Sequence, residues 1–175
     1  MKKTVLVCGL VAGVISSSMF IGLMLLGRAG DDHFENGMIY GYSLMILAFS
    51  LIFVGTKITR DKYNGGVISF GKAFQVGLFI TLIAATIYVI VWMIDYYVFI
   101  PDFADKYAAQ VIKKLQESGA SAEALATKTK EMEEFSRMYK NPFFNAMITY
   151  SEIVPVGLLV SLVSALVLKR KTAIA

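Results

Sequence analysis

The sequence predicts an all-α membrane protein, a bundle of four transmembrane helices with an extracytoplasmic helical hairpin between the third and the fourth. Three observations carry this expectation. Apolar residues make up 57% of the chain and charged residues 17%, whereas soluble domains run near half and a quarter. The apolar residues collect in four long runs, three of them free of charge. The three segments with an excess of lysine and arginine are ones that four crossings would place on one side.

A hydrocarbon core takes about 20 helical residues at about 1.5 Å each. Thr4–Leu26, Met38–Thr56 and Ala73–Ile94 contain no charge, and Phe143–Leu168 contains only Glu152. Backbone in lipid must satisfy its own hydrogen bonds, so these runs are helices and not strands. One domain, 1–175, is expected, with spans at about 4–26, 38–56, 73–97 and 143–168. The first run follows Lys2 and Lys3, as a signal peptide would, but its apolar stretch exceeds the roughly 7–15 residues of a signal core. A retained helix is therefore expected. Cys8, the only cysteine, reads as a small apolar residue.

Orientation follows from the bases, since short basic loops stay cytoplasmic. Lys2, Lys3, Lys57, Arg60, Lys62, Lys72, Lys169, Arg170 and Lys171 share one side with a single acid, Asp61. The first loop of the opposite side sets Arg28 against Asp31, Asp32 and Glu35, and residues 99–142 balance their charges. Both termini are expected in the cytoplasm. The pI of about 9.1 then reflects topology, and no nucleic acid partner is expected.

Residues 101–140 read as the hairpin. Phe103, Tyr107, Val111, Ile112 and Leu115 recur at helical spacing after Pro101-Asp102. Gly119 stops that helix, and Ser121 caps the next, with Glu123 near its positive end. Leu125, Met132, Phe135 and Tyr139 then form one face before Asn141-Pro142. The pair of helices lies on itself, on the bilayer surface or against a protein partner.

Inside the spans, small residues recur at helical spacing: Gly9, Gly13 and Ser16 in the first, Gly77, Thr81 and Ala84 in the third, Gly157, Ser161 and Ser164 in the fourth. Such stripes let backbones approach closely where packing drives association. Polar residues form a second pattern. Asn145, Thr149 and Glu152 share one face of the fourth helix, and Tyr88, Trp92 and Asp95 share one face of the third. A charge at the depth of Glu152 must be paired, hydrated or protonated. Pro155 also removes the hydrogen bond that the carbonyl of Ser151 would accept. This stripe is the candidate intramembrane polar site, with Glu152 open to a vestibule bounded by the third helix.

Several motifs lead nowhere. Gly66–Lys72 matches the start of a phosphate-binding loop, but Ala73 stands where Ser or Thr must hold magnesium, and no buried strand precedes it. His33, the only histidine, has no second zinc ligand, and no nucleophile–base pair can be assembled around it. No metal, cofactor or enzymatic activity is expected.

The stretch Arg60–Phe74 (RDKYNGGVISFGKAF), with Tyr88–Tyr97 and Glu152–Gly157, resembles a bacterial membrane family catalogued as domain of unknown function 4199. The resemblance covers nearly the whole chain and implies a four-helix inner-membrane protein with no assigned activity. Within its most specific part, Arg60 and Lys62, on either side of Asp61, are expected near anionic lipid headgroups, and Asn64-Gly65-Gly66 has turn chemistry. Two functional expectations follow. The first is a non-enzymatic accessory or interaction protein that uses residues 101–140. The alternative is a small homo-oligomeric transporter or ligand-responsive protein built on Glu152 and Asp95.

Overall fold

The computed structural model describes residues 1–25 and 37–170. Among them are seven α-helices: α1 (Lys2–Ser16), α2 (Ser18–Leu25), α3 (Gly37–Ile58), α4 (Phe70–Ile94), α5 (Phe103–Glu117), α6 (Ala122–Tyr139) and α7 (Pro142–Leu168). No strand is present among the described residues, only one isolated antiparallel bridge between Ile68 and Arg170. Three stretches are long and apolar enough to cross a membrane: Ile39–Tyr63, Phe70–Phe99 and Pro142–Leu168, with mean hydropathies of 1.8, 2.4 and 2.1.

The first apolar run is divided at Ser17, yet its hydrogen-bond ladder continues through the break. Ser17 N–H donates to Gly13 at 3.1 Å, and Ile21 N–H donates to Ser17 at 3.1 Å. The spanning helices α3 and α4 each end in a wider π turn, Thr59–Tyr63 and Asp95–Phe99. Helix starts follow local chemistry. Ser69 caps α4 by accepting from the Lys72 N–H at 3.3 Å, and Ser121 caps α6 by accepting from Ala124 at 3.2 Å. Asn141 accepts from Phe143 and Phe144, and Pro142 occupies the first turn of α7, so one dipeptide ends α6 and starts the next helix.

α4 is the centre of the bundle, packed most extensively on α7 and α1. Glycines permit this approach. A Cβ at Gly9 would meet Ile83 at 2.7 Å, and one at Gly13 would meet Ile87 at 2.7 Å. On the other side, a Cβ at Gly77 would meet the Ser161 hydroxyl at 2.6 Å, and one at Gly157 would strike Thr81 and Phe49. Thr81 and Ser161 then share a buried hydrogen bond of 3.3 Å. Without a strong hydrophobic drive between helices in lipid, such close backbone packing and buried hydrogen bonds supply the association energy.

Candidate functional site

At the α5–α6 end of the bundle, α4 and α7 meet through side chains that hydrogen-bond across the interface. Trp92 Nε1–H points between two acceptors, the Asn145 side-chain oxygen at 3.0 Å and the Tyr139 hydroxyl at 3.1 Å. Asn145 donates to the Tyr139 carbonyl at 3.4 Å, and the Thr149 hydroxyl donates to the Asn145 carbonyl at 2.9 Å. Asn145 is fully buried and Thr149 nearly so. Buried polar groups of this kind are costly unless paired, and here each holds the next. Burial pushes the Tyr139 phenol well above its ordinary pKa.

Aromatic rings extend the cluster in both directions. Phe20 of α2 lies 5.1 Å from Trp92 and 5.3 Å from Tyr88, centroid to centroid. Phe103 meets Trp92 edge-on at 4.9 Å, and Tyr96 meets Tyr139 edge-on at 5.4 Å. Tyr107 and Phe135 continue the contact between α5 and α6 at 6.0 Å. Phe103 also faces Tyr139 at 6.4 Å, so α5 and α6 lie side by side. They are fastened at the base by Asp105, which accepts from the Ser136 hydroxyl and from the Lys140 ammonium at 3.0 Å. Tyr97 adds a bond to the Lys140 carbonyl at 3.1 Å. The Ser136 hydrogen bond, with Lys140 beside it, holds the Asp105 carboxyl below its usual range.

The polar residues singled out in the sequence separate into two groups. Tyr88, Trp92, Asp95, Asn145 and Thr149 are all buried. Glu152 is exposed on the flank of α7. The carboxylates are also at different depths. Trp92 is level with Asn145 and Thr86 with Tyr150, so Asp95 is level with the start of α7 and Glu152 lies some ten residues deeper. At 1.5 Å per residue that is about 15 Å along the axis.

At the opposite end, the α3–α4 turn has an internal structure that charge counting did not foresee. Gly65 and Gly66 adopt positive φ of 60° and 82°, a conformation open mainly to glycine. The turn closes with Gly66 N–H on the Arg60 carbonyl at 2.9 Å. Arg60 grips Asp61 through two hydrogen bonds of 2.6 and 3.2 Å. Lys72 donates to the Asn64 side chain at 2.8 Å, while Lys62 is exposed. Ile68 and Arg170 exchange backbone hydrogen bonds of 3.0 and 2.8 Å, tying the end of α7 to the turn. Ile68 is buried with Ala73 and Ala165 in a small second core. Its pairing with a basic residue after α7 had no signal in spacing.

No group of three His, Cys, Asp or Glu residues could hold a metal among the described residues. The loop acids Asp31, Asp32 and Glu35, with Arg28 and His33, lie outside them, as does Lys171.

Long apolar helices, packed through glycines and joined by buried polar contacts, define the class: an all-helical protein with helices suited to crossing a membrane. A family described as protein of unknown function (DUF4199) matches residues 8–170, nearly the whole chain, and the chain belongs to that family. No curated protein and no solved structure matches it.

Proposed function

We propose that this chain is a non-enzymatic accessory protein of the bacterial inner membrane that crosses four times and presents α5–α6 to a protein partner. The observation that carries the reading is the contrast between the two ends of that helix pair. Its base is locked to α4 and α7 through Trp92, Phe103, Tyr139 and Asn145, and Asp105 ties α5 to the end of α6. Beyond the base nothing is buried from Asp105 to Phe135, and the apolar seam of Val111, Ile112, Leu115, Leu125 and Met132 is only half covered. A shallow groove of about 470 Å³ opens there, lined by Leu115, Ser121, Glu123, Ala124, Thr127, Lys128 and Glu131. A rigid base with an open tip suits a docking element better than a catalytic one.

The fourth crossing is supported by how the first run lies. Gly9 faces Ile83, Gly13 faces Ile87 and Phe20 faces Trp92, so α1 and α2 run parallel to α4 over most of its length. With four crossings, the basic segments share the cytoplasmic side and α5–α6 projects outside.

The test is purification of the tagged protein from native membranes in mild detergent, beside a variant carrying Ala124→Arg and Thr127→Arg in the groove. A stoichiometric partner present with the parent and lost with the variant, while Trp92 fluorescence is unchanged, is the expected result. Arrival of the parent alone or as its own oligomer overturns it and moves attention to the transporter alternative. That alternative must route a ligand past two carboxylates at different depths.

A further inference from the structure

The flank of α7 that carries Glu152 is otherwise apolar. Glu152, Pro155, Leu159, Leu162 and Leu166 follow one another at spacings of three and four, and all are exposed. This is the ridge α7 turns away from the bundle, with Leu159 66% exposed. α7 is 27 residues long, and Glu152 stands three residues from its midpoint. It is therefore about 5 Å from the centre of the span at 1.5 Å per residue, beyond the reach of headgroup amines on a short side chain. Among the described residues no hydrogen bond or ion pair engages it. Pro155 adds a second acceptor: it has no N–H to give the Ser151 carbonyl one turn back, and Ser151 is itself exposed.

A carboxylate and an unused carbonyl on one apolar ridge match a cation with several donors. This chain cannot supply it to a second copy, because none of its four apolar runs contains Lys, Arg or His. We propose that the Glu152 ridge binds a spanning helix of a different membrane protein, one carrying an arginine or lysine at mid-bilayer depth. The basic side chain pairs with the Glu152 carboxylate and donates to the Ser151 carbonyl, and Leu159 and Leu162 pack against the partner helix. A guanidinium, with its fork of donors, serves both acceptors at once. Removal of the ion pair from water makes a lone charge at this depth a strong specifier of partner. The contact lies within the bilayer and does not depend on the α5–α6 tip.

The experiment places a photo-reactive benzoylphenylalanine at Leu159 and irradiates cells expressing the protein at native level. The expected result is an adduct with another membrane protein, mapped to a span containing Arg or Lys. It falls tenfold or more in Glu152→Gln, persists in Glu152→Asp, and returns when Glu152→Lys meets a partner whose base is changed to Glu. If Glu152→Gln fails to accumulate, changing the partner's base to Leu gives the same reading. Adducts confined to lipid or to copies of this chain overturn the proposal, as does an adduct unchanged in Glu152→Gln. Rapid labelling of Glu152→Cys by an impermeant maleimide, in a Cys8→Ala background, also overturns it by showing a water-filled cleft. Loss of the tip-dependent partner leaves the Leu159 adduct in place, so the two readings fail separately.

Discussion

Single residues decide how closely the helices approach. Gly157 and Gly41 are both glycines in long apolar helices, but only the first faces a neighbour. A Cβ at Gly157 would run into Thr81 and come within 2.9 Å of Phe49, whereas one at Gly41 would meet nothing within 4 Å. Phe49 and Thr81 are themselves buried, so the surroundings of Gly157 cannot swing aside. Gly157→Leu is expected to cost about 1–3 kcal/mol through overpacking. Gly41→Ala should cost nothing, because removing backbone freedom in a helix favours folding by roughly 0.5–1 kcal/mol. Thermal midpoints of the two variants in one detergent check this: only the Gly157 variant should melt several degrees lower. The spacing of Gly77 and Gly157 was legible in the sequence, since small residues at four-residue intervals imply contact. Which helix each would meet was not, because spacing on one helix says nothing of its neighbour's register.

At the scale of elements, the pair α5–α6 shows what periodicity can and cannot reveal. The apolar faces, the glycine stop and the Ser121 cap are local and were readable. The fastening to the bundle and of the pair to itself joins residues far apart in the chain: Trp92 with Tyr139 and Asn145, and Asp105 with Ser136 and Lys140. No local pattern encodes such pairs. The Asp105 clamp has a pH signature. Its carboxyl is held below the ordinary value by the Ser136 hydrogen bond and Lys140. A group with a lowered folded pKa stabilises above its unfolded value and loses that contribution as pH falls through the lowered one. Fastening of α5–α6 should therefore hold at neutral pH and weaken only below about pH 4. Emission from Trp92, the single tryptophan, reports on the contact with Phe103 as pH is lowered. Asp105→Asn should show the loosened emission already at pH 7 and lack the acid transition. An identical transition in that variant would assign it to another carboxylate.

For the whole molecule, the arrangement of charge and the packing of α1 and α2 bear on one question, the number of crossings. Among the described residues three helices are long enough to span, and an odd number would put Lys2 and Lys3 on the side opposite Lys169 and Arg170. The contacts argue otherwise. Gly9, Gly13 and Phe20 lie against Ile83, Ile87 and Trp92 in that order, so the first run occupies the same depth as α4 and points the same way. A helix placed there but not crossing would need its charged start buried or its apolar end in water, and both are costly. The bridge between Ile68 and Arg170 places the end of α7 beside the α3–α4 turn, on the side where α1 begins. Single cysteines in a Cys8→Ala chain separate the two topologies. With an impermeant maleimide added to intact spheroplasts, a cysteine at Gly119 should be labelled, and cysteines at Lys3, Lys62 and Lys169 should react only after the membrane is opened. Labelling at Lys3 in intact spheroplasts, with Lys62 and Lys169 still protected, would reduce the count to three. The first run would then have to reach its contacts on α4 without crossing, against the order in which those contacts fall.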